Sequence, residues 1–91
     1  MNAETKIKRN SSTAYRNLDG EGLIMNPADS MLHSLNDTGS AIWEYIAETR
    51  QVSEIVDMLM EKFNGARETA EKDVEEFLNA LNEQGLIEQE G

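Results

Sequence analysis

Residues 35–43 of this chain read Leu-Asn-Asp-Thr-Gly-Ser-Ala-Ile-Trp, and they divide it into two unlike halves. Asn36 and Asp37 are helix-capping residue types, and the apolar residues Ala41, Ile42, Tyr45 and Ile46 follow at helical spacing. Before this junction the pattern is short and strand-like; after it the pattern is helical. A sheet therefore ends here and a set of helices begins.

The strand-like part is organised by its turns. Thr13 to Leu18 reads as one strand with Tyr15 as its aromatic anchor. Asp19-Gly20-Glu21-Gly22 is a hairpin signal, because glycine supplies the positive φ that tight turns need. Leu23-Ile24-Met25 is a second strand, and Asn26-Pro27-Ala28-Asp29 a second turn. Met31 to Leu35 is a third strand, with Met31, His33 and Leu35 on one face and Leu32 and Ser34 on the other. Strands joined this closely form an antiparallel meander. Residues 1–11 are polar, lack a period and read as a flexible basic segment; residues 12–88 read as the folded domain.

Three helices are expected. The first spans about Asp37 to Glu48, with Gly39 permitting close packing against the preceding strand. The second starts at Ser53 as N-cap, shows Ile55, Val56, Leu59, Met60 and Phe63, and ends at Asn64-Gly65. The third begins between Arg67 and Thr69, shows Val74, Phe77, Leu78 and Leu81, and closes at Gly85 with Leu86 folding back onto Leu81. Strands followed by helices give an α+β layer architecture.

Composition narrows the function. With 91 residues the core is small, which suits surface binding better than an enclosed active site. The absence of cysteine excludes disulfides, thiol catalysis and iron–sulfur ligation by this chain. His33 is the sole histidine, so no metal site and no cofactor is expected. No apolar run approaches the roughly 20 residues of a membrane span, so a cytoplasmic protein without membrane contact is expected. The net charge is −10, divided between +3 over residues 1–16 and −13 over the rest. Such an acidic body repels phosphate backbones and argues against nucleic acid as a partner. The basic start reads as a solvated or frayed end, with pairing to an acidic partner as the alternative.

No catalytic constellation stands out. Glu68, Glu71, Asp73, Glu75 and Glu76 read as a solvated helix face, and Ser30, Ser34 and Ser53 as turn, strand and cap residues. Trp43, Tyr45 and Met60 read as core, whereas Met31 could face a groove. One physical feature remains. Sheet edges are normally blunted by Lys, Pro or bulges, and Ser30 to Ser34 contain no Lys and no Pro. Such an edge is either shielded by another element or used to capture a peptide as an added strand.

The pieces together resemble the PqqD-like family. Leu35 to Trp43 resembles its "LN-x-[ST]-[AG]-x-x-[IL]-[WL]" signature. Ser53-Glu54-Ile55-Val56 with Leu59 resembles its second helix, and Asp73-Val74-Glu75-Glu76-Phe77-Leu78, Leu81 and Gly85-Leu86-Ile87 its ending. The Asp19 to Gly22 turn before Leu23-Ile24 also fits, so the likeness runs from about Tyr15 to Ile87. It departs after the first helix, where Glu48-Thr49-Arg50-Gln51 replaces the family's acidic-glycine pair.

The resemblance implies a winged-helix-like domain, a three-stranded antiparallel sheet followed by three helices. It implies a non-catalytic module that binds the leader of a ribosomally made precursor peptide. The module would present that leader to a radical SAM protein, a cyclodehydratase or a leader peptidase. It further implies that the leader adds to the third strand, at Ser30, Met31, Leu32, His33 and Ser34. A groove wall would come from Asp73, Phe77, Ala80 and Gln84 of the third helix, while Val74, Leu78 and Leu81 face the core and Phe77 suits either side. Two rival readings are a winged-helix DNA-binding regulator and an accessory subunit of a peptide-maturation enzyme.

Overall fold

The stretch from Ala14 to Leu35 folds as the meander its turns predict. The computed structural model describes residues 2–19, 21–26 and 30–90. In chain order the elements are β1 (Lys6–Arg9), β2 (Ala14–Leu18), β3 (Glu21–Asn26), β4 (Met31–Leu35), α1 (Asp37–Tyr45), β5 (Arg50–Gln51), α2 (Val52–Lys62), α3 (Arg67–Glu83) and β6 (Ile87–Glu90). The meander is the sheet β2-β3-β4, antiparallel throughout, with Met25 opposite Leu32 and Ile24 opposite His33. Gly20 of the first turn and Pro27, Ala28 and Asp29 of the second lie outside the described residues. Beside them Asp19 and Ser30 hold φ of 54° and 58°, the left-handed backbone of tight turns.

A second sheet, β5-β1-β6, corrects the expectation of a frayed start. Lys6–Arg9 is its central strand, antiparallel to β5 on one side and β6 on the other. The cause is Ile7, which is fully buried among Leu86, Ile87 and the helices. The basic residues beside it work within the chain. Lys8 Nζ lies 3.1 Å from Glu90 and 3.8 Å from Glu88, and the hydrogen bond to Glu90 raises its pKa. Arg9 stacks 5.0 Å from the Trp43 ring, and its Nε donates to the Trp43 carbonyl at 2.8 Å.

The helices begin and end for local reasons, two of them unforeseen. Asn36 caps α1, its Oδ1 accepting from the Gly39 N–H at 2.8 Å. That helix stops at Tyr45 rather than Glu48, because Arg50 turns back and its Nε donates to the Tyr45 carbonyl at 3.2 Å. α2 is capped by Gln51 and not by Ser53. The Glu54 carboxylate accepts from the Gln51 N–H at 2.9 Å, while the Ser53 N–H donates to the Ala3 carbonyl. α3 closes as expected. Gly85 takes φ 72°, Leu86 N–H donates to Leu81 carbonyl, and Gly85 N–H to Asn82 carbonyl. This is a Schellman closure, and Leu86 and Leu81 are both buried.

The core is formed by Ile24 and Leu35 of the meander, Ile42, Trp43 and Ile46 around α1, and Ile55, Val56, Met58 and Leu59 of α2. Val74, Leu78 and Leu81 complete it from α3, as expected of that face. Tyr15 links β2 to α1, its hydroxyl donating to Glu44 at 2.8 Å; burial, then that bond, raises its pKa. Phe63, expected in the apolar stripe of α2, lies past the helix end in extended backbone and is 38% exposed.

One buried polar side chain ties the meander to α3. Asn26, at the end of β3, donates from Nδ2 to the Gln84 carbonyl at 2.9 Å. Asn26→Ala removes this bond from a buried position, and a loss of about 1–3 kcal/mol in unfolding free energy is expected by urea denaturation. A loss below about 0.3 kcal/mol, within the usual extrapolation error, would show the bond to be incidental.

Candidate functional site

β4 is the terminal strand of the meander, paired with β3 on one side and, among the described residues, with no strand on the other. Its side chains alternate as expected: Leu35 is buried and His33 half-buried beneath the sheet, and Leu32 and Ser34 are exposed above it. Met31 shares the lower face yet is largely exposed, because it sits at the strand's open end. The strand contains no Asp, Glu, Lys or Arg. Successive residues of such a strand direct their N–H and C=O groups alternately to the neighbouring strand and outward. The outward set is a template for another extended chain. Ser30, expected to share in pairing, stands in the turn before β4, its N–H donating to the Asn26 carbonyl. The His33 Nε2 is buried without a hydrogen-bond partner.

α3 is tied near both ends of this strand, so that the two run in opposite senses. At one end Gln84 accepts from Asn26, which lies opposite Met31 in the ladder. At the other, β4 leads through Asn36 into α1, whose Gly39 meets the Phe77 ring. A Cβ at Gly39 would lie 3.1 Å from Phe77 Cε1, so glycine lets the ring rest on the first turn of α1. Gly39 thus serves the contact with α3 rather than packing against the preceding strand. Phe77, which suited core or groove, is half-buried and joins both.

Asp73 and Phe77 line an open hollow of about 430 Å³ together with Glu76 of α3 and with Asn36, Thr38, Gly39 and Ile42. Ala80 and Gln84 are exposed further along α3. They do not line that hollow; they continue the same helix face toward Met31. Asn36, Thr38, Gly39, Ile42 and Glu76 are not among the groove residues the resemblance implies, yet they line the same hollow. Asn36, Thr38 and Gly39 belong to the Asn-Asp-Thr-Gly run, whose sequence by itself signals a helix cap and a family likeness.

The chemistry of this arrangement is binding. It offers outward backbone donors and acceptors on β4, and opposite them a wall in which the Phe77 ring stands among the polar side chains of Asn36 and Thr38 and the carboxylates of Asp73 and Glu76. No group of three or more His, Asp or Glu side chains among the described residues could hold a metal ion. No helix among them is long and apolar enough to cross a membrane.

Comparison with known proteins places this geometry. Among curated protein sequences none matches the chain. The solved structure of TbiB1 in complex with the TbiA(beta) leader peptide superposes with a TM-score of 0.83. It is 28% identical, covering 89% of this chain and 94% of that one. Lasso peptide synthetase B1 complexed with a leader peptide gives a TM-score of 0.79 at 17% identity, covering 90% and 96%. The PqqD truncation of Methylobacterium extorquens PqqCD, a stand-alone recognition element for ribosomally synthesized and modified peptides, gives 0.75 at 16%, covering 91% and 88%. The model of the family described as coenzyme PQQ synthesis protein D (PqqD) matches residues 21–87, most of the chain. The α+β fold of three helices on a three-stranded meander and this match lead to one conclusion: the chain belongs to the PqqD family.

Proposed function

We propose that this protein is a non-catalytic recognition element that captures the leader of a ribosomally synthesised precursor peptide by strand addition to β4. It then presents that peptide to a maturation enzyme in the cytoplasm. The observation that carries the reading is the terminal strand β4, which contains no Asp, Glu, Lys or Arg and has one side without a neighbouring strand among the described residues. The 28% identical TbiB1, whose structure holds a leader peptide, supports it. Met31, Leu32, His33 and Ser34 offer the backbone ladder, with Ser30 at its mouth. Asp73, Phe77, Ala80 and Gln84 form the opposing wall that selects side chains. The partner enzyme is a radical SAM protein, a cyclodehydratase or a leader peptidase.

The energetics suit a reversible carrier. Each added backbone hydrogen bond nets roughly 0.5–1.5 kcal/mol. One or two leader side chains buried against Phe77 add roughly 1.5–3 kcal/mol each. Ordering a disordered leader costs about 2–5 kcal/mol. The balance corresponds to dissociation constants on the order of nanomolar to micromolar. The acidic face of α3, with Glu68, Glu71, Asp73, Glu75 and Glu76 against Arg67 and Lys72, opposes the rival reading of a DNA-binding helix.

Amide hydrogen exchange tests the reading with a leader peptide selected for binding to this protein. Saturating peptide is expected to slow exchange about tenfold or more at outward amides of β4 while leaving β2 unchanged. Binding by calorimetry without protection in β4 would reject strand addition.

A further inference from the structure

The face of α3 that carries Asp73, Phe77, Ala80 and Gln84 does not begin at Asp73. Counting back by three and then four reaches Ala70 and Ala66, so one stripe runs the length of the helix. A second hollow of about 270 Å³ lies along its early part, lined by Met60, Phe63, Ala66 and Ala70 among others. Thr38 and Asp73 line both this hollow and the one at Phe77, so the two adjoin. Phe63 is the one large exposed apolar side chain outside the meander among the described residues. Scattered apolar residues on a surface mean little, but this one sits in a concavity continuous with the groove.

The charges are equally directional. The sole charged residues lining either hollow are Asp73 and Glu76. Arg67, the single arginine of α3, is already engaged by Asp57 at 2.9 Å and Glu71 at 3.5 Å.

We propose that the Phe63 hollow is a second subsite for the same bound peptide. It receives an apolar side chain from the segment beyond the residues paired with β4, while a Lys or Arg between the two apolar positions lies over Asp73 and Glu76. This rests on the reading of β4 as the capture strand. Spacing follows from geometry. Phe77 and Ala70 are separated by about 10 Å of helix, which an extended peptide spans in about three residues. The recognised peptide is therefore longer than the strand it forms, and basic at the point where it leaves the sheet.

The test uses a display library of random peptides long enough to cover both hollows, selected against the wild-type protein. Expected are peptides enriched in Lys or Arg near an apolar residue, binding Phe63→Ser about tenfold or more weakly. The same peptides trimmed of that apolar segment are expected to bind wild type and Phe63→Ser equally. Selection against Asp73→Lys is expected to turn the basic preference acidic. Circular dichroism confirms that each variant is folded. Full-length selected peptides that bind Phe63→Ser as well as wild type, or an unchanged charge preference with Asp73→Lys, overturn the inference. If those peptides still lose affinity for a proline variant of β4, strand capture stands and only the second subsite falls. If no peptide is enriched, or if the proline variants bind as wild type does, both fall.

Discussion

Proline at one of two neighbouring positions, Leu32 or His33, is expected to weaken capture of the precursor peptide about 10- to 100-fold in a protein that remains folded. Neighbouring residues of an edge strand direct their N–H groups to opposite sides, so one of the two donates toward β3 and the other outward. Proline removes whichever donor it replaces, and its ring stands where that hydrogen was. At the outward position the sheet keeps its ladder, because edge strands accept proline there. The incoming chain loses one hydrogen bond and is held off at the next, a loss of about 10- to 100-fold in affinity. At the inward position the same substitution breaks the pairing with β3 and lowers stability instead. Leu32 is 64% exposed, so little packing confuses the comparison at that site. Fluorescence anisotropy with labelled precursor peptide reads the affinity, and thermal melting reads the fold. Two folded variants with unchanged affinity would leave strand addition without support.

Ile7→Ala should cost about 2–5 kcal/mol of folding stability, the range for emptying a large side chain from a packed core. A domain of this size has about 5–15 kcal/mol at most to lose. Ile7 has 0% exposure and belongs to the strand that joins β5 to β6. Lys6→Ser, at the exposed neighbour, should change stability by less than about 0.5 kcal/mol. Denaturant unfolding of the pair separates a structural strand from a solvated tail. Equal midpoints for Ile7→Ala and wild type would return residues 6–9 to the status of a tail.

The contrast between β4 and β1 shows what could be read from the chain and what could not. β4 was bounded correctly at Met31 and Leu35, because Leu35 hands over to a capping asparagine and the alternation is complete within five residues. The close of α3 was legible for a similar reason, since a Schellman turn is written in Gly85 and Leu86 alone. β1, β5 and β6 hold four, two and four residues, with one apolar residue apiece in β1 and β6 and none in β5. Their pairing joins Lys6 to Glu90 and to Gln51, contacts too distant along the chain for any local period to announce. The start of α2 failed on the same ground. Ser53 has the right chemistry for a cap, but the β5 pairing fixes Gln51 in extended backbone and places the boundary there. In the hollow, helical spacing shows only that Asp73 and Phe77 share a face, their place in a groove being what the family resemblance implies, whereas the approach of Asn36 and Gly39 to Phe77 needs the third dimension to bring α1 against α3.

The ladder between Lys6 and Glu90 also fixes how such a domain can be housed. A polypeptide entering through one of these strands leaves through its neighbour, roughly 5 Å away. Both openings belong to a different sheet from the one that ends in β4. A larger host could therefore carry the module as a plug-in cassette on two short tethers, and a permuted chain with those strands spliced should keep the docking border free.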